Sequence, residues 1–485
     1  MAKIFETLND PQLVVKFQRL CGVYPAPSDS GTVPPQFVQK QTNTSVSNLI
    51  SFLNDFSESS TTVDSKKASC NGSSKHPTAT QSADAGLAAC NGNGILPEHR
   101  NGFTRPDLRE RVASNGVAGT STRKISHMKK DSTASTDFSA TESDSDQSCA
   151  GSKRSSDYVA TNLFLDYLFR FGASLGNEVF YITFFPFWFW NIDGYVGRRI
   201  CVFWCIFMYL GQATKDIIRW PRPPAPPVMR MEKRYALEYG MPSTHAMVGA
   251  GLPFTILILT KDRYVYTFEW GLLVAVLWCT TVCLSRLYLG MHSVLDIIAG
   301  LIYIFALMPA CFPLLNPIDE FLLDSPYAPA VSVLVPLALA LAYPTLDKWS
   351  TARGDTTLIL GVGAGVALGH WVCYQYGFMH KAPTPPPYEI LMPNINWLGQ
   401  VVMRLCLGVV ILVATRALMK ATVYNVACYL SGVNRNDYSQ STQMLSVELP
   451  YKFVTYLVIA FNTVWLAPQV FHFIGIERET FFTEI

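Results

Sequence analysis

Charge of one sign is what this chain has least of. Lys and Arg number 38 against 36 Asp and Glu, a formal net charge of +2. That balance gives no reason to expect nucleic acid as a partner. Charged residues of any sign make up only 15% of the 485 residues, while apolar ones make up 49%. Clusters of metal ligands are lacking too. The cysteines number twelve, and Cys201, Cys205, Cys279, Cys283 and Cys406 sit inside apolar runs, where a thiol behaves as a small hydrophobe. Cys279 and Cys283 have helical spacing but no zinc-finger partners, so no metal and no cofactor is expected. No cleavable signal peptide is expected, because Met1–Ile4 runs straight into charge and a proline. The first membrane helix then directs insertion. No inverted repeat of apolar segments is evident, which weighs against a transporter.

Apolar runs are also missing from the first third. Residues 1–157 are rich in Ser, Thr, Asn, Gly, Asp and Lys and bury too little surface to offset the entropy of ordering. They read as a mostly disordered N-terminal arm. Within it, residues 5–22 fit a short amphipathic helix for a membrane surface or a partner, or a transient helix in a disordered arm. Asn43-Thr-Ser45 and Asn71-Gly-Ser73 match the glycosylation sequon, and Lys153-Arg154-Ser155-Ser156 sets basic charge beside hydroxyls.

From about Phe164 the composition inverts. A bilayer crossing takes about 20 apolar residues, and candidate spans fall near 170–190, 196–216, 245–260, 266–286, 292–312, 328–345, 356–376, 397–419 and 451–474. The fold class is an all-α polytopic membrane protein of about nine transmembrane helices over 158–475, with a tail at 476–485. Aromatics such as Phe185-Pro186-Phe187-Trp188-Phe189-Trp190 suit the headgroup region.

Three polar segments interrupt this apolar background. They are Lys215-Asp-Ile-Ile-Arg-Trp-Pro-Arg222-Pro223, Met241-Pro242-Ser243-Thr244-His245 and Ser285-Arg286-Leu-Tyr-Leu-Gly-Met-His292-Ser-Val-Leu-Asp296. Each lies at the end of a span, and the span count puts all three on one membrane face. A phosphate ester carries up to two negative charges, and Lys215, Arg222 and Arg286 supply three cations to meet them. Arginine suits two phosphate oxygens at once. Ser243 and the backbone N–H groups of Thr244 and His245 add donors where a helix starts. His292 and Asp296 are four residues apart, so on a helix they share a face and the carboxylate holds one ring nitrogen while the other attacks phosphorus. His245 is placed to protonate the departing alkoxide.

Bland readings stand beside these. Arg198, Arg199 and Arg416 are taken as snorkelling cations, and His370, His380 and His472 as structural. Glu232 and Glu238 are candidates for a substrate ammonium, although loop carboxylates are more often solvated. The full third segment arises by chance about once in 10⁵ starting points at even residue usage, which the other two segments make rarer still.

The three segments resemble the signature of the type 2 phosphatidic-acid phosphatase superfamily, Lys-x6-Arg-Pro, Pro-Ser-Gly-His and Ser-Arg-x5-His-x3-Asp. Thr244 stands where most members have Gly, which narrows the phosphate cradle. Met241 to Met247 and Lys215 to Pro223 resemble the sphingosine-1-phosphate phosphatase branch, and Asp10 to Val23 resembles the start of its longer, type 1 form. The resemblance implies a six-helix catalytic core over the second to seventh spans. It also implies an endoplasmic reticulum enzyme with a lumen-facing site, acting on sphingosine 1-phosphate and related long-chain base phosphates within the bilayer. His245, His292 and Asp296 would be catalytic, and Lys215, Arg222, Ser243, Thr244 and Arg286 would bind phosphate. Two rivals remain. A broader lipid phosphatase or phosphotransferase of the superfamily is one. A transporter is the other, although it would place ionisable residues near span midpoints.

Overall fold

A computed structural model describes residues 2–26, 158–232, 234–346, 349–390, 394–478 and 480–484. The two sequons and the Lys153-Arg154 patch lie outside the described residues.

The order along the chain is α1 (Ala2–Leu8), α2 (Pro11–Leu20), β1 (Val23–Pro25), β2 (Tyr158–Ala160), α3 (Leu163–Ser174) and α4 (Glu178–Asn191). Then come α5 (Gly194–Ile218), α6 (Thr244–Thr260), β3 (Tyr264–Val265), α7 (Phe268–Tyr288), α8 (Val294–Asp324), α9 (Ala328–Leu341) and α10 (Thr351–Gln375). The chain closes with β4 (Tyr388–Glu389), α11 (Ile395–Met419), α12 (Asn425–Ser431), α13 (Leu445–Val464) and α14 (Leu466–Ile474). Two-residue β3 and β4 run parallel, and β1 pairs antiparallel with β2.

A helix lies at each of the nine expected spans, but among the described residues six stretches are long and apolar enough to cross a bilayer. They are α5, α7, α8, α10, α11 with α12, and α13 with α14. This is a multi-pass membrane protein. The other three differ for local reasons. Gly176 and Asn177 break the first span into α3 and α4, where the Asn162 and Asn177 positions start new helices. Helix α6 has 17 residues and α9 has 14, short for 30 Å of hydrocarbon at 1.5 Å per residue.

Polar side chains set the helix starts. Asp193 accepts from the Val196 N–H at α5, Asn162 from Leu165 at α3 and Asn394 from Trp397 at α11. Helix α5 stops on Arg219, whose φ of 56° is left-handed. The main core gathers Trp190, Phe203, Trp204 and Phe207 with residues of α6, α8 and α10. A second core, richer in the amino-terminal helix, surrounds Tyr288, Leu289 and Met291.

Two expectations change here. In place of one helix over 5–22 there are two, broken at Asn9 and Asp10, and α2 buries Val14, Val15, Phe17 and Gln18. Its apolar face packs on α3 and the end of α7. Arg198 and Arg199 do not snorkel. Both are buried, at 2.9 and 2.8 Å from the carboxylate of Asp319. A buried cation needs a counter-charge, and Asp319 of α8 supplies it. The tail also folds back: Arg404 donates to the Ile476 and Glu477 carbonyls, and Glu484 meets Arg478 and the Gly194 N–H.

Candidate active site

Lys215 is the last basic residue of α5, at the opposite end from Arg198, about 25 Å away at 1.5 Å per residue. The loop after α5 carries Arg222, Glu232 and Glu238. Helix α6 begins at Ser243, whose side chain accepts from the Ala246 N–H at 3.4 Å. Helix α7 ends beyond Arg286, and α8 begins after His292. The three polar segments therefore meet at one end of the bundle, as the span count led one to expect.

Their contacts are specific. Lys215 Nζ donates to Glu238 Oε2 at 3.1 Å and to Thr244 Oγ1 at 3.2 Å. Arg222 Nε donates to the Glu238 carbonyl at 2.8 Å, and its Nη1 donates to the Met291 carbonyl at 2.7 Å. The same Nη1 lies 3.2 Å from His292 Nε2. Arg286 Nη1 donates to Glu232 Oε2 at 3.2 Å, and its Nε lies 3.3 Å from Ser285 Oγ. Lys215, Arg286, Ser243 and His292 are almost wholly buried. Thr244 lies among these groups, and its hydroxyl accepts from Lys215, a contact that glycine cannot make.

The His292/Asp296 pair differs from the helical i,i+4 contact read from the sequence. His292 stands outside α8, and Ser293 caps it. Asp296 is the N3 residue of a capping box: its Oδ2 accepts from the Ser293 N–H at 2.8 Å, and its N–H donates to Ser293 Oγ at 3.2 Å. The carboxylate still faces the ring, with Oδ2 at 3.7 Å from His292 Nδ1. That is too long for a hydrogen bond. Nδ1, Asp296 Oδ1 and Arg286 Nη2 are buried with no hydrogen-bond partner among the described residues. Contacts of this kind often tighten only when a ligand fills the site.

His245 lies in the first turn of α6. Its Nε2 is 3.3 Å from Asn177 Oδ1, and its ring meets Tyr235 edge-on at 6.0 Å between centroids. Gly176 comes so close to the ring that a Cβ there would collide with it. Asn177 and Tyr235 went unread in the sequence, since neither belongs to a polar segment. The Gly-Asn break inside a nominal span was the available signal.

Glu232 and Glu238 were candidates for a substrate ammonium, yet both already pair with cradle cations. Glu238 also accepts from Thr351 Oγ1 at 2.6 Å and lies 3.7 Å from Arg222 Nη2. Burial disfavours its charge, but Lys215 and Arg222 outweigh that and hold its carboxyl below the usual range. Burial lowers Arg222 to about 10, which leaves it charged at neutral pH. Burial, then Arg222, Lys215 and Arg286, hold His292 well below its ordinary 6.5, so the ring is neutral. A neutral imidazole has the lone pair that a nucleophile needs, and three cations beside it are suited to an anion.

Residues 196–318 match the family model described as the PAP2 superfamily. The chain is 45% identical over 323 residues to sphingosine-1-phosphate phosphatase 1 of Rattus norvegicus, covering 65% of this chain and 74% of that protein. It is 41% identical over 322 residues to sphingosine-1-phosphate phosphatase 2 of Homo sapiens, covering 66% and 80%. The chain belongs to the sphingosine-1-phosphate phosphatase family of the PAP2 superfamily. More distantly, it is 25% identical over 350 residues to lipid phosphate phosphatase delta of Arabidopsis thaliana, covering 64% and 84%. No solved structure matches. Membership makes the chain a phosphatase. The family model spans α5 to near the end of α8, a stretch that carries all three polar segments.

Proposed function

We propose that this phosphatase hydrolyses sphingosine 1-phosphate and related sphingoid-base phosphates to the free base and phosphate. The substrate follows the relatives named above. The observation that carries the site is the neutral His292 ring held among Arg222, Lys215 and Arg286.

The roles follow from the chemistry of each group. Lys215, Arg222 and Arg286 take the phosphoryl oxygens, with Ser243, Thr244 and the amino-terminal N–H groups of α6 as further donors. His292 Nε2 attacks phosphorus, and the bond from phosphorus to the lipid oxygen breaks. Asp296 faces Nδ1 and stabilises the positive charge that the ring gains. Burial and the neighbouring cations hold the His245 ring well below its ordinary 6.5 in the empty site, so it takes up its proton when the phosphate anion offsets those cations, and gives that proton to the leaving alkoxide, which is a poor leaving group without one. Water then attacks the phosphohistidine, with His245 as base, and releases phosphate. The charge on the phosphoryl group is met by side-chain cations, a role that magnesium plays in other phosphoryl-transfer sites. The family resemblance supports the endoplasmic reticulum membrane and a lumenal site.

The test is phosphate release by purified protein from a panel of sphingoid-base phosphates, phosphatidate and lysophosphatidate, with acid quenching to trap an acid-labile phosphoenzyme. A panel on which phosphatidate equals sphingosine 1-phosphate in kcat/KM would set aside the substrate. Turnover without any phosphoenzyme in burst experiments would set aside the covalent route.

A further inference from the structure

The amino-terminal helix α2 lies before the long polar segment, far in sequence from every residue of the site. One of its polar side chains is nevertheless buried against the loops that carry the site. Gln18 is 2% exposed. Its Nε2 donates to the Met229 carbonyl at 2.6 Å and to the Tyr288 carbonyl at 2.9 Å, and its Oε1 accepts from the Met229 N–H at 3.0 Å. One primary amide thus satisfies both backbone groups of Met229 and ties them to Tyr288. Two donors and one acceptor at this reach are what glutamine offers. Glutamate lacks the donors, and leucine lacks all three groups.

We propose that Gln18 is a positioning residue of the phosphatase, fixing the two loops that carry Arg222 and His292 against each other. Met229 follows Arg222 by seven residues on the loop after α5. Tyr288 lies between Arg286 and His292. The same two segments are laced further by the Met231 N–H donating to the Leu289 carbonyl at 3.1 Å, and by Arg222 Nη1 donating to the Met291 carbonyl at 2.7 Å. The next residue after Met291 is His292. The contact also explains Gly290. Its φ is +66°, and a Cβ there would strike the Met229 carbonyl and lie 2.9 Å from Gln18 Nε2.

Packing holds the clamp in place. Val14, Phe17, Cys21 and Val23 are buried with Phe169, Tyr288, Leu289 and Met291 in one apolar cluster. The Phe17 and Phe169 rings lie 6.0 Å apart, and those of Phe169 and Tyr288 5.1 Å apart. The Thr161 N–H donates to the Gly22 carbonyl at 2.8 Å and fastens α2 to the start of α3. A buried amide whose three bonds all go to backbone of catalytic loops constrains those loops, and displacements near 1 Å at such loops cost on the order of 10²-fold in rate.

The experiment compares the full chain with Gln18→Leu, Gln18→Asn and the exposed-face control Lys16→Ala. Two quantities are read per folded molecule: kcat and KM on sphingosine 1-phosphate, and the affinity for inorganic vanadate by thermal shift. Vanadate mimics the five-coordinate phosphoryl group and needs Arg222, Arg286 and His292 together. Positioning predicts that Gln18→Leu loses about tenfold or more in kcat and in vanadate affinity. Gln18→Asn, which keeps the amide but is a methylene short, should fall between, and Lys16→Ala should be unchanged. A lower melting temperature with unaltered kcat and unaltered vanadate affinity would overturn the proposal. If Gln18→Leu does not fold, Gln18→Asn is judged by the same two quantities. The substrate arm rests on the proposed function and the vanadate arm does not, so a wrong substrate and a wrong role for Gln18 give different results.

Discussion

Arg222 Nη1 lies 3.2 Å from His292 Nε2, on the side of the ring opposite the Asp296 carboxylate. A guanidinium can only donate, so the contact favours a ring whose Nε2 is unprotonated and accepts with its lone pair. That lone pair is the one that would attack phosphorus. The arginine proposed to grip the phosphate would thus also keep the proposed nucleophile deprotonated.

The first prediction is a pH profile. His292 is held well below 6.5 by burial and by Arg222, Lys215 and Arg286. Protonation removes the nucleophile, so activity is lost only as pH falls through the lowered value. The acid limb of kcat/KM should therefore lie below pH 6.5, while the alkaline side gains nothing from this residue. Arg222→Met removes the nearest cation. The limb should then move up towards 6.5, in addition to an overall loss of about 10²-fold. The measurement is kcat/KM from pH 4.5 to 9 for both proteins, and a limb that stays in place would break the link between Arg222 and the ring.

Glu238 supplies the second. With no phosphate present it neutralises Lys215 and Arg222, and neutralising the carboxylate leaves a buried lysine unpaired. Glu238→Gln should destabilise the chain by about 3–5 kcal/mol. A bound oxyanion can replace the lost counter-charge, so vanadate or phosphate should stabilise the variant more than it does the unaltered protein. Thermal melts with and without vanadate make the comparison. Equal shifts in both proteins would mean that Glu238 is not the counter-charge of the empty cradle.

The third prediction concerns the arm. Deleting residues 27–157 should leave turnover close to normal, because α2 can still dock beside β2. Deleting 1–157 should abolish most activity, because Val14, Phe17 and Gln18 go with it. Composition alone had put the whole arm outside the catalytic unit. Activity of the two truncations in the same membranes, corrected for inserted protein, distinguishes them. Full activity in the longer deletion would return the first helices to the dispensable arm.

Much of the site was legible because its chemistry stands out from its surroundings. Lysine, arginine and histidine are costly in a bilayer, so Lys215, Arg286 and His292 are conspicuous against apolar runs, and counting spans brings them to one face. The partners were hidden for the opposite reason. Glu238 and Glu232 lie in a polar loop where carboxylates are ordinary, and only coordinates show which cation each one meets. Gln18 is an uncharged residue in a short helix, and its partners are backbone atoms more than two hundred residues away. The His292/Asp296 contact was legible as a pair but not as a geometry. Spacing of four fits one helical turn, yet Ser293 is a better N-cap than a mid-helix residue, so the helix starts between the two partners. Arg198 and Arg199 read as snorkelling because Asp319, which buries them, is on another helix.

The last prediction separates His245 from His292 by the leaving group. His245 sits in the first turn of α6 with Asn177 Oδ1 at 3.3 Å from Nε2, which orients the ring without supplying it a proton. As a general acid its value depends on how badly the departing oxygen needs protonation. A sphingoid alkoxide needs it greatly, whereas a nitrophenolate leaves almost unaided. His245→Ala should lose about 10²–10⁴-fold in phosphoryl transfer from sphingosine 1-phosphate, the usual range for such a group. On an aryl phosphate small enough to enter the cradle the loss in that step should be far smaller. Phosphoenzyme should then accumulate, because the same histidine would activate the hydrolytic water. His292→Ala should fail on both substrates, since no leaving group compensates for a missing nucleophile. Asn177→Ala should resemble a weakened His245→Ala, with its larger loss again on the lipid, because it frees the ring without removing it. Rapid-quench measurement of the first transfer step gives all of these values. Equal losses for His245→Ala on lipid and aryl phosphate would leave that residue a phosphate-binding group, with the proton for the leaving oxygen coming from water.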